Sequence, residues 1–301
     1  MIGKSRTARI RLGIMLLVGL SNPLMASEVV TPVGKEAPIH KICEHGLEAT
    51  RVRHTNWAYN EKELCQQALV FDDCRSEKND PIYHFDFVGS SPDSTKILVI
   101  GVTHGDEPES GAVSFAWADR LLKLKDARNS WRIIPILNPD GLALKSRLNA
   151  NGVDLNRNFP TKDWQESAHQ YWGTKSNKDP RRFPGPSAAS ERETRCAMAH
   201  IAAFSPDFIV SIHTPYGIMD FDGPKVAPLP RTDLPWVSLG HFPGSLGRFM
   251  WHDRQLPVLT IELNLRSFER GLKGIEELQD QTGTVALRAK SSLNKGRSAS
   301  L

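Results

Sequence analysis

The sequence predicts a single α/β domain with a central mixed, mainly parallel sheet flanked by helices, and two observations support this prediction. Short apolar runs rich in β-branched residues alternate along the chain with longer, helix-like segments. Continuous apolar runs such as residues 96–102 (KILVIGV) are typical of strands buried on both faces of a parallel sheet. A chain of 301 residues is also long enough to bury one large core.

The elements follow one another in a strand and helix alternation. The predicted strands are residues 83–88, 96–102, 131–137, 208–212 and 257–263. The predicted helices are residues 108–124, with a proline in the first turn, and residues 190–204, which open with the capping-box pattern Ser190-x-x-Glu193. The intervening segments 138–186 and 214–256 are rich in glycine, proline and polar residues. Loops of such length in a compact domain are usually functional.

The N-terminal segment has the layout of a cleavable secretory signal. Residues 1–26 begin with four basic side chains, continue with an apolar run and end in small residues. The run is too short for a permanent membrane anchor, so we expect a periplasmic or secreted protein. Without these four basic residues the chain has 34 basic and 34 acidic side chains, so its charge gives no argument for a nucleic-acid partner.

Composition divides the remaining chain into three parts. Residues 27–80 are polar and contain three of the four cysteines, which predicts an N-terminal extension on the main domain. Residues 81–285 carry the alternating apolar segments and are predicted to form that domain. Residues 286–301 are basic and rich in serine, which predicts a flexible, solvated tail.

The four cysteines, Cys43, Cys65, Cys74 and Cys196, are even in number and follow a predicted secretory signal. In an oxidising compartment they allow two disulfides in any of three pairings. None has the C-x-x-C spacing of a thiolate zinc site, so disulfide bridging is the better interpretation. We favour Cys65 with Cys74, because the short segment between them closes locally, and Cys43 with Cys196.

Metal-binding residue types follow the ends of two predicted strands. His104 and Glu107 lie in GVTHGDEPES after the strand KILVIGV, and His213 ends FIVSIH. Ligands of open α/β sheets gather at such carboxyl ends. Two histidines and one carboxylate leave a coordination position of zinc open, which is the pattern of a catalytic site. The sequence therefore predicts one zinc ion per chain on these three residues, with Asp106 orienting His104 and Gly105 allowing a close turn.

Four further residues complete the predicted chemistry. Glu262 follows the apolar run in LTIELN, and a carboxylate there can take a proton from water and return it to a leaving nitrogen. Arg147, Asn156 and Arg157 lie in RLNANGVDLNRNFP. Two fixed cations and an amide can polarise a carbonyl and grip a carboxylate.

These motifs together resemble the zinc metallocarboxypeptidases, in the same order along the chain. The matching segments are HGDE at 104–107, NPDG at 138–141, GVDLNRNFP at 152–160, SIH at 211–213 and the glutamate at 262. The resemblance covers about residues 96–264 and implies that His104, Glu107 and His213 bind zinc and that Glu262 is the general base. It also implies that Arg147 stabilises the oxyanion and that Asn156 and Arg157 hold the terminal carboxylate of a peptide.

Within the family, residues 190–194 and 243–247 are similar to members that cleave bacterial cell-wall peptides. That similarity implies hydrolysis of the γ-D-glutamyl–meso-diaminopimelate bond of peptidoglycan stem peptides. Digestive members carry a mobile tyrosine before the general base, whereas this chain has no tyrosine after Tyr216. His241, Phe242 and Trp251 occupy that region instead, which disfavours a general protein-digesting role.

Three alternatives remain open from the sequence. An LD-carboxypeptidase would remove the terminal D-alanine of the tetrapeptide, with the same residues. A deacylase resembling aspartoacylase shares the two histidines and the glutamate, but the segment NRNF favours the peptidase. A non-catalytic module that binds wall peptides would be indicated by the loss of a metal ligand or of Glu262, and all four residues are present.

Overall fold

The computed structural model describes residues 37–299 except residues 53, 54, 56, 58 and 59. The predicted secretory signal, residues 1–26, lies outside the described residues. None of the helices in the described part of the chain has the length and apolar character that a bilayer span requires.

Helices and strands alternate through most of the described chain. The strands are β1 (Leu69–Arg75), β2 (Pro81–Phe87), β3 (Lys96–Ile100), β4 (Ser130–Ile134), β5 (Phe208–His213), β6 (Ile218–Asp222) and β7 (Val258–Glu262). The helices are α1 (Ile39–Ala49), α2 (Glu61–Gln66), α3 (Pro108–Lys123), α4 (Pro139–Leu144), α5 (Trp164–Thr174), α6 (Arg192–Phe204) and α7 (Gly271–Ala299). Short 3₁₀ segments lie at Leu155–Arg157, Pro180–Arg182 and Leu265–Phe268, and a π-helical turn at Arg248–His252.

Within the described residues the strands form one seven-stranded sheet in the order β1-β2-β4-β3-β5-β7-β6. The central strands β4, β3, β5 and β7 are parallel, whereas β1 and β2 at one edge and β6 at the other pair antiparallel. The predicted mixed, mainly parallel sheet is confirmed. Because the central strands share one direction, the residues that follow their carboxyl ends meet at one edge of the sheet.

The core has a layer on each face of the sheet. Alternate residues of β3 divide between them: Ile97 and Val99 belong to one buried cluster, and Leu98 and Ile100 to the other. The first cluster packs against α3 and α7 and the second against α6, so a continuous apolar strand serves both layers. Trp117 of α3 also donates its indole hydrogen to a carbonyl of α7 at 2.9 Å.

The sequence predicted the five most apolar strands and missed the two at the edges of the sheet. β1 and β6 each carry two aspartates, in LVFDDCR and IMDFD. Edge strands tolerate such polar residues, and these residues hide the alternation of apolar and polar positions by which a strand is recognised. The helix predicted at 190–204 begins at Arg192 and lacks a capping box. Ser190 donates its hydroxyl hydrogen to Glu191, while Glu193 accepts hydrogen bonds from Asn149 and from the backbone of residue 77.

The disulfide pairing favoured from the sequence is wrong. The structure pairs Cys43 with Cys65, with Cα atoms 5.5 Å apart, and Cys74 with Cys196, with Cα atoms 4.9 Å apart. The first bridge joins neighbouring helices α1 and α2, and the second joins β1 to α6. Cys65 and Cys74 do not meet because β1 extends between them at about 3.4 Å per residue. Both bridges suit an oxidising compartment.

The structure also differs from the predictions of an N-terminal extension and a flexible C-terminal tail. Described residues 37–80 are integrated into the domain, since β1 pairs with β2 and Leu47 and Leu64 belong to the main core. Within the flexible tail predicted at residues 286–301, the described residues 286–299 instead form the second half of α7. Ala286 and Ala289 are fully buried there, and small apolar residues at helical spacing pack although the segment is basic.

Candidate active site

A cavity of about 540 Å³ opens at the carboxyl edge of the central strands. All seven residues that the sequence predicts for the site line this cavity. They are His104, Glu107, Arg147, Asn156, Arg157, His213 and Glu262. They come from four separate segments of the chain, so the fold brings together what the sequence separates by more than 150 positions.

A strained turn carries the first two of these residues away from β3. Val102 has φ of +41°, an uncommon conformation for a β-branched residue, and it is fully buried. Asn138, the first residue of the NPDG motif, accepts from the backbone of Gly141 and donates to the carbonyl of Thr103 at 3.3 Å. A Cβ atom at Gly105 would clash with the backbone of Gly141. The NPDG motif therefore supports the turn that presents His104, and the close approach expected at Gly105 is present.

The three predicted metal ligands converge on one point. Nδ1 of His104 lies 2.7 Å from Oε1 of Glu107 and 3.2 Å from Nδ1 of His213, and that Nδ1 lies 2.9 Å from Oε2 of Glu107. All three residues are buried, with exposures of 2, 6 and 2% for His104, Glu107 and His213. Two neutral imidazole nitrogens with their lone pairs turned toward each other repel unless a proton or a cation lies between them. The donor set therefore fits a divalent cation.

Hydrogen bonds to the opposite ring nitrogens fix which atoms face this point. Nε2 of His104 lies 3.1 Å from Oδ1 of Asp154, and Nε2 of His213 lies 2.9 Å from Oγ of Ser211. When each Nε2 donates to its oxygen partner, each Nδ1 keeps its lone pair for a metal. Two histidines and a carboxylate held this way match the ligand set of a catalytic zinc site.

The orienting carboxylate is Asp154 and not Asp106, the residue predicted from the sequence. Asp106 forms an ion pair with Arg181 at 2.8 Å. Asp154 is fully buried, and burial raises its pKa, but the charges of Arg147 and His104 outweigh burial and hold the pKa of Asp154 far below its usual range. The sequence offered one signal, an acid inside the run VDLNRNF that matches the family motif, but it did not show in which direction this acid points.

We expect Asp154→Asn to weaken zinc binding by about 10- to 100-fold, because an amide holds the Nε2 proton of His104 less strongly than a carboxylate. Competition for zinc with a chromophoric chelator measures this. Asp106→Asn is the matched control and should keep the wild-type affinity, since Asp106 contacts Arg181. Equal zinc affinities for the two variants would contradict the orienting role of Asp154.

Glu262 is buried beside this cluster without a partner for one of its oxygens. It ends β7 and is the register partner of His213 on β5. Glu262 is only 8% exposed. Among the described residues, its Oε2 has no hydrogen-bond partner. Burial raises the pKa of Glu262. A carboxyl group of raised proton affinity that faces the cavity can accept a proton and release it again.

Arg147 contacts two residues of the ligand cluster directly. Its Nη1 is 3.1 Å from Nδ1 of His104 and 3.5 Å from Oε1 of Glu107. Asp154 accepts from Nε and Nη2 of Arg147 at 3.2 and 3.0 Å, which fixes the plane of the guanidinium. A positive charge held so close to the metal ligands can stabilise negative charge that develops on a substrate oxygen.

Asn156 and Arg157 occupy the 3₁₀ turn that follows Asp154. Oδ1 of Asn156 accepts from the backbone of Leu246 at 2.9 Å, so its amide nitrogen is the group left to donate to a ligand. Arg157 places its guanidinium 4.5 Å from the ring centroid of Phe242. Within the described residues its Nε has no partner. Both side chains therefore offer donors to a carboxylate in the cavity.

Comparison with known proteins assigns the chain to one family. The zinc carboxypeptidase family matches residues 61–217, about half of the chain, and the chain belongs to this family. It is therefore a peptidase, as the sequence predicted. The structure of thrombin activatable fibrinolysis inhibitor shares the fold, with a TM-score of 0.59, 15% identity and coverage of 76% of this chain and 71% of that one.

Greater sequence similarity is found to murein peptide amidase A. The Escherichia coli K12 protein is 35% identical over 174 residues, which span 55% of this chain and 69% of that protein. The Vibrio campbellii protein is 34% identical over 175 residues, or 55% and 68% of the two chains. The structure of murein-tripeptide amidase MpaA from Escherichia coli O157 has a TM-score of 0.53 and 27% identity, and it covers 76% of this chain and 95% of that one.

Proposed function

We propose that this protein is a zinc-dependent carboxypeptidase that hydrolyses the γ-D-glutamyl–meso-diaminopimelate bond of peptidoglycan stem peptides. The observation that carries the proposal is the convergence of His104, Glu107 and His213 beside Glu262, whose Oε2 lacks a partner among the described residues. The similarity to murein peptide amidase A supports the choice of substrate. The two disulfides and the predicted secretory signal support a periplasmic or secreted location.

Asn156 and Arg157 define which end of a peptide enters the cavity. Arg157 and Asn156 offer donors that suit a free carboxylate, and Phe242 holds the guanidinium of Arg157 from one face. A substrate anchored in this way presents the peptide bond next to its terminal carboxylate. The proposed enzyme is therefore an exopeptidase that releases a C-terminal residue.

The residues around the metal position divide the chemistry among them. Zinc held by His104, Glu107 and His213 would supply a Lewis acid and lower the pKa of a water molecule. Glu262 takes a proton from the attacking water and delivers it to the leaving nitrogen, which its raised proton affinity favours. Arg147 donates to the oxygen of the scissile carbonyl as negative charge develops on it.

Mass spectrometry of purified stem tripeptide and tetrapeptide, incubated separately with the zinc-loaded protein, tests the proposal. We expect release of diaminopimelate from the tripeptide. The same incubation with a chelator, and with Glu262→Gln, should release none. Release of D-alanine from the tetrapeptide alone would assign the LD-carboxypeptidase activity instead. Intact tripeptide and tetrapeptide would overturn both assignments.

A further inference from the structure

The edge strand β6, which the sequence analysis assigned to a loop, places two acids in the active-site cavity. Asp220 and Asp222 alternate along β6, so their side chains lie on the same face of the sheet. In the antiparallel pairing of β6 with β7, Asp220 is opposite Thr260 and Ile218 is opposite Glu262. Both aspartates line the same cavity as Glu262. Glu262, Asp220 and Asp222 therefore lie on the same face of the sheet, and all three line one cavity.

Among the residues that the structure describes, neither carboxylate pairs with a fixed positive charge. Asp220 accepts from the backbone of Leu239 at 3.1 Å, and Asp222 lies 3.3 Å from Nδ1 of His241. Burial, together with His252 and Arg248, lowers the pKa of His241, which makes this imidazole a weak source of positive charge for Asp222. Within the described residues the ion-pair contacts of these two acids include no lysine or arginine.

Burial of two ionised carboxylates is unfavourable in free energy unless a cation pairs with them. Asp220 is 6% exposed and Asp222 is 8% exposed. Burial raises the pKa of both acids, and burial together with the charge of Asp220 raises that of Asp222 to about 7. Buried charges in proteins are normally paired. A positively charged ligand group between the two carboxylates would supply the missing partner.

The position of the two acids fits the length of a basic side chain. Asp220 is paired with Thr260, which lies two residues before Glu262 on β7. Two residues along a strand span about 7 Å, so Asp220 lies about that far along the sheet from Glu262. The distal nitrogen of a diamino acid with a six- or seven-carbon backbone lies about 6 Å from its Cα atom, from standard bond lengths. A leaving residue whose Cα lies beside Glu262 would therefore bring its distal ammonium group to the aspartates.

We infer that Asp220 and Asp222 determine specificity by binding the ammonium group at the far end of the leaving residue's side chain. The inference rests on the proposed function, because it assigns the side-chain end of the substrate within the same cavity. A leaving residue with an apolar side chain would bury the two carboxylates without a partner, and one with a distal carboxylate alone would be repelled. The aspartates thus select a diamino acid such as diaminopimelate.

The test compares two ligands that differ only in the distal ammonium group, L-lysine and L-norleucine. Isothermal calorimetry on the zinc-loaded protein measures their dissociation constants, and hydrolysis of γ-D-glutamyl-L-lysine and γ-D-glutamyl-L-norleucine measures kcat/KM. We expect both ratios to favour lysine by about tenfold to a hundredfold, as for a hydrogen-bonded charge pair. Asp220→Asn and Asp222→Asn should each reduce both ratios toward one. Asparagine at position 220 keeps an acceptor for the backbone of Leu239. A ratio is also insensitive to the amount of folded protein.

Asp280→Asn is the matched control, because Asp280 is an exposed acid on α7 that pairs with Arg120. It should keep the wild-type ratios. Wild-type ratios in both Asp220→Asn and Asp222→Asn would overturn the inference. If the stem tripeptide is still cleaved, the proposed function would stand. If no γ-D-glutamyl peptide is cleaved, the proposed function fails, and the calorimetric ratio still decides whether the aspartates bind an ammonium group.

Discussion

Glu262→Gln is expected to lower kcat for stem-tripeptide hydrolysis by about 10²- to 10⁴-fold, the usual contribution of a general acid and base. Glutamine has nearly the same shape as glutamate and can occupy the same buried position at the end of β7. It cannot accept a proton from water at neutral pH or return one to the leaving nitrogen. The substitution therefore removes proton transfer and leaves the ligand cluster of His104, Glu107 and His213 intact.

Steady-state kinetics and metal analysis on the same preparation separate these effects. We expect zinc content to equal that of the wild type, with the loss confined to kcat. Glu269→Gln provides the control, since Glu269 is an exposed acid that does not line the cavity. A variant at position 262 that retained more than about a tenth of the wild-type kcat would exclude Glu262 as the general base.

Removal of zinc is expected to abolish hydrolysis and to lower the melting temperature by about 10 °C. The reason is that three ligand atoms lie within 4.8 Å of one another, and without a cation they must take up protons or repel. At a zinc concentration about 1,000 times the dissociation constant, binding contributes about 4 kcal/mol to stability. For a domain of this size each kcal/mol corresponds to about 2–4 °C.

Differential scanning calorimetry before and after dialysis against a chelator measures the shift, and added zinc should restore both the melting temperature and the activity. His213→Ala should show no zinc-dependent shift, whereas His45→Ala, which removes an exposed histidine of α1, should show the wild-type shift. Activity that persists in protein shown to be metal-free would refute the metal site on His104, Glu107 and His213.

Much of the site was predictable because parallel strands bring the residues at their carboxyl ends to the same edge of the sheet. A buried strand can be recognised from a continuous apolar run, and the residue after it must lie at the carboxyl edge of the sheet. His104 and Glu107 follow β3, His213 ends β5 and Glu262 ends β7. Residue type and strand position were therefore enough to bring these side chains to one edge without knowledge of the strand order.

Contacts that depend on orientation were not predictable in this way. The sequence placed Asp106 beside His104 because the two are neighbours in the chain, but Asp106 turns to Arg181 and Asp154 reaches His104 from a later segment. The disulfides failed for the same reason. Their pairing depends on β1 lying against α6, which carries Cys196, and local sequence distance does not encode that contact.

The sequence by itself determined the strands of the central sheet and the peptidase class, and it predicted the metal ligands and Glu262, because apolar periodicity and side-chain chemistry are local properties. Only the tertiary structure decided the disulfide pairing, the contact of Asp154 with His104 and the placement of Asp220 and Asp222 in the cavity. In β6 the polar residues that hide the strand from sequence analysis are the ones that face the cavity. Burial of an unpaired charge is a property of the folded surroundings, and no single segment of the chain contains it.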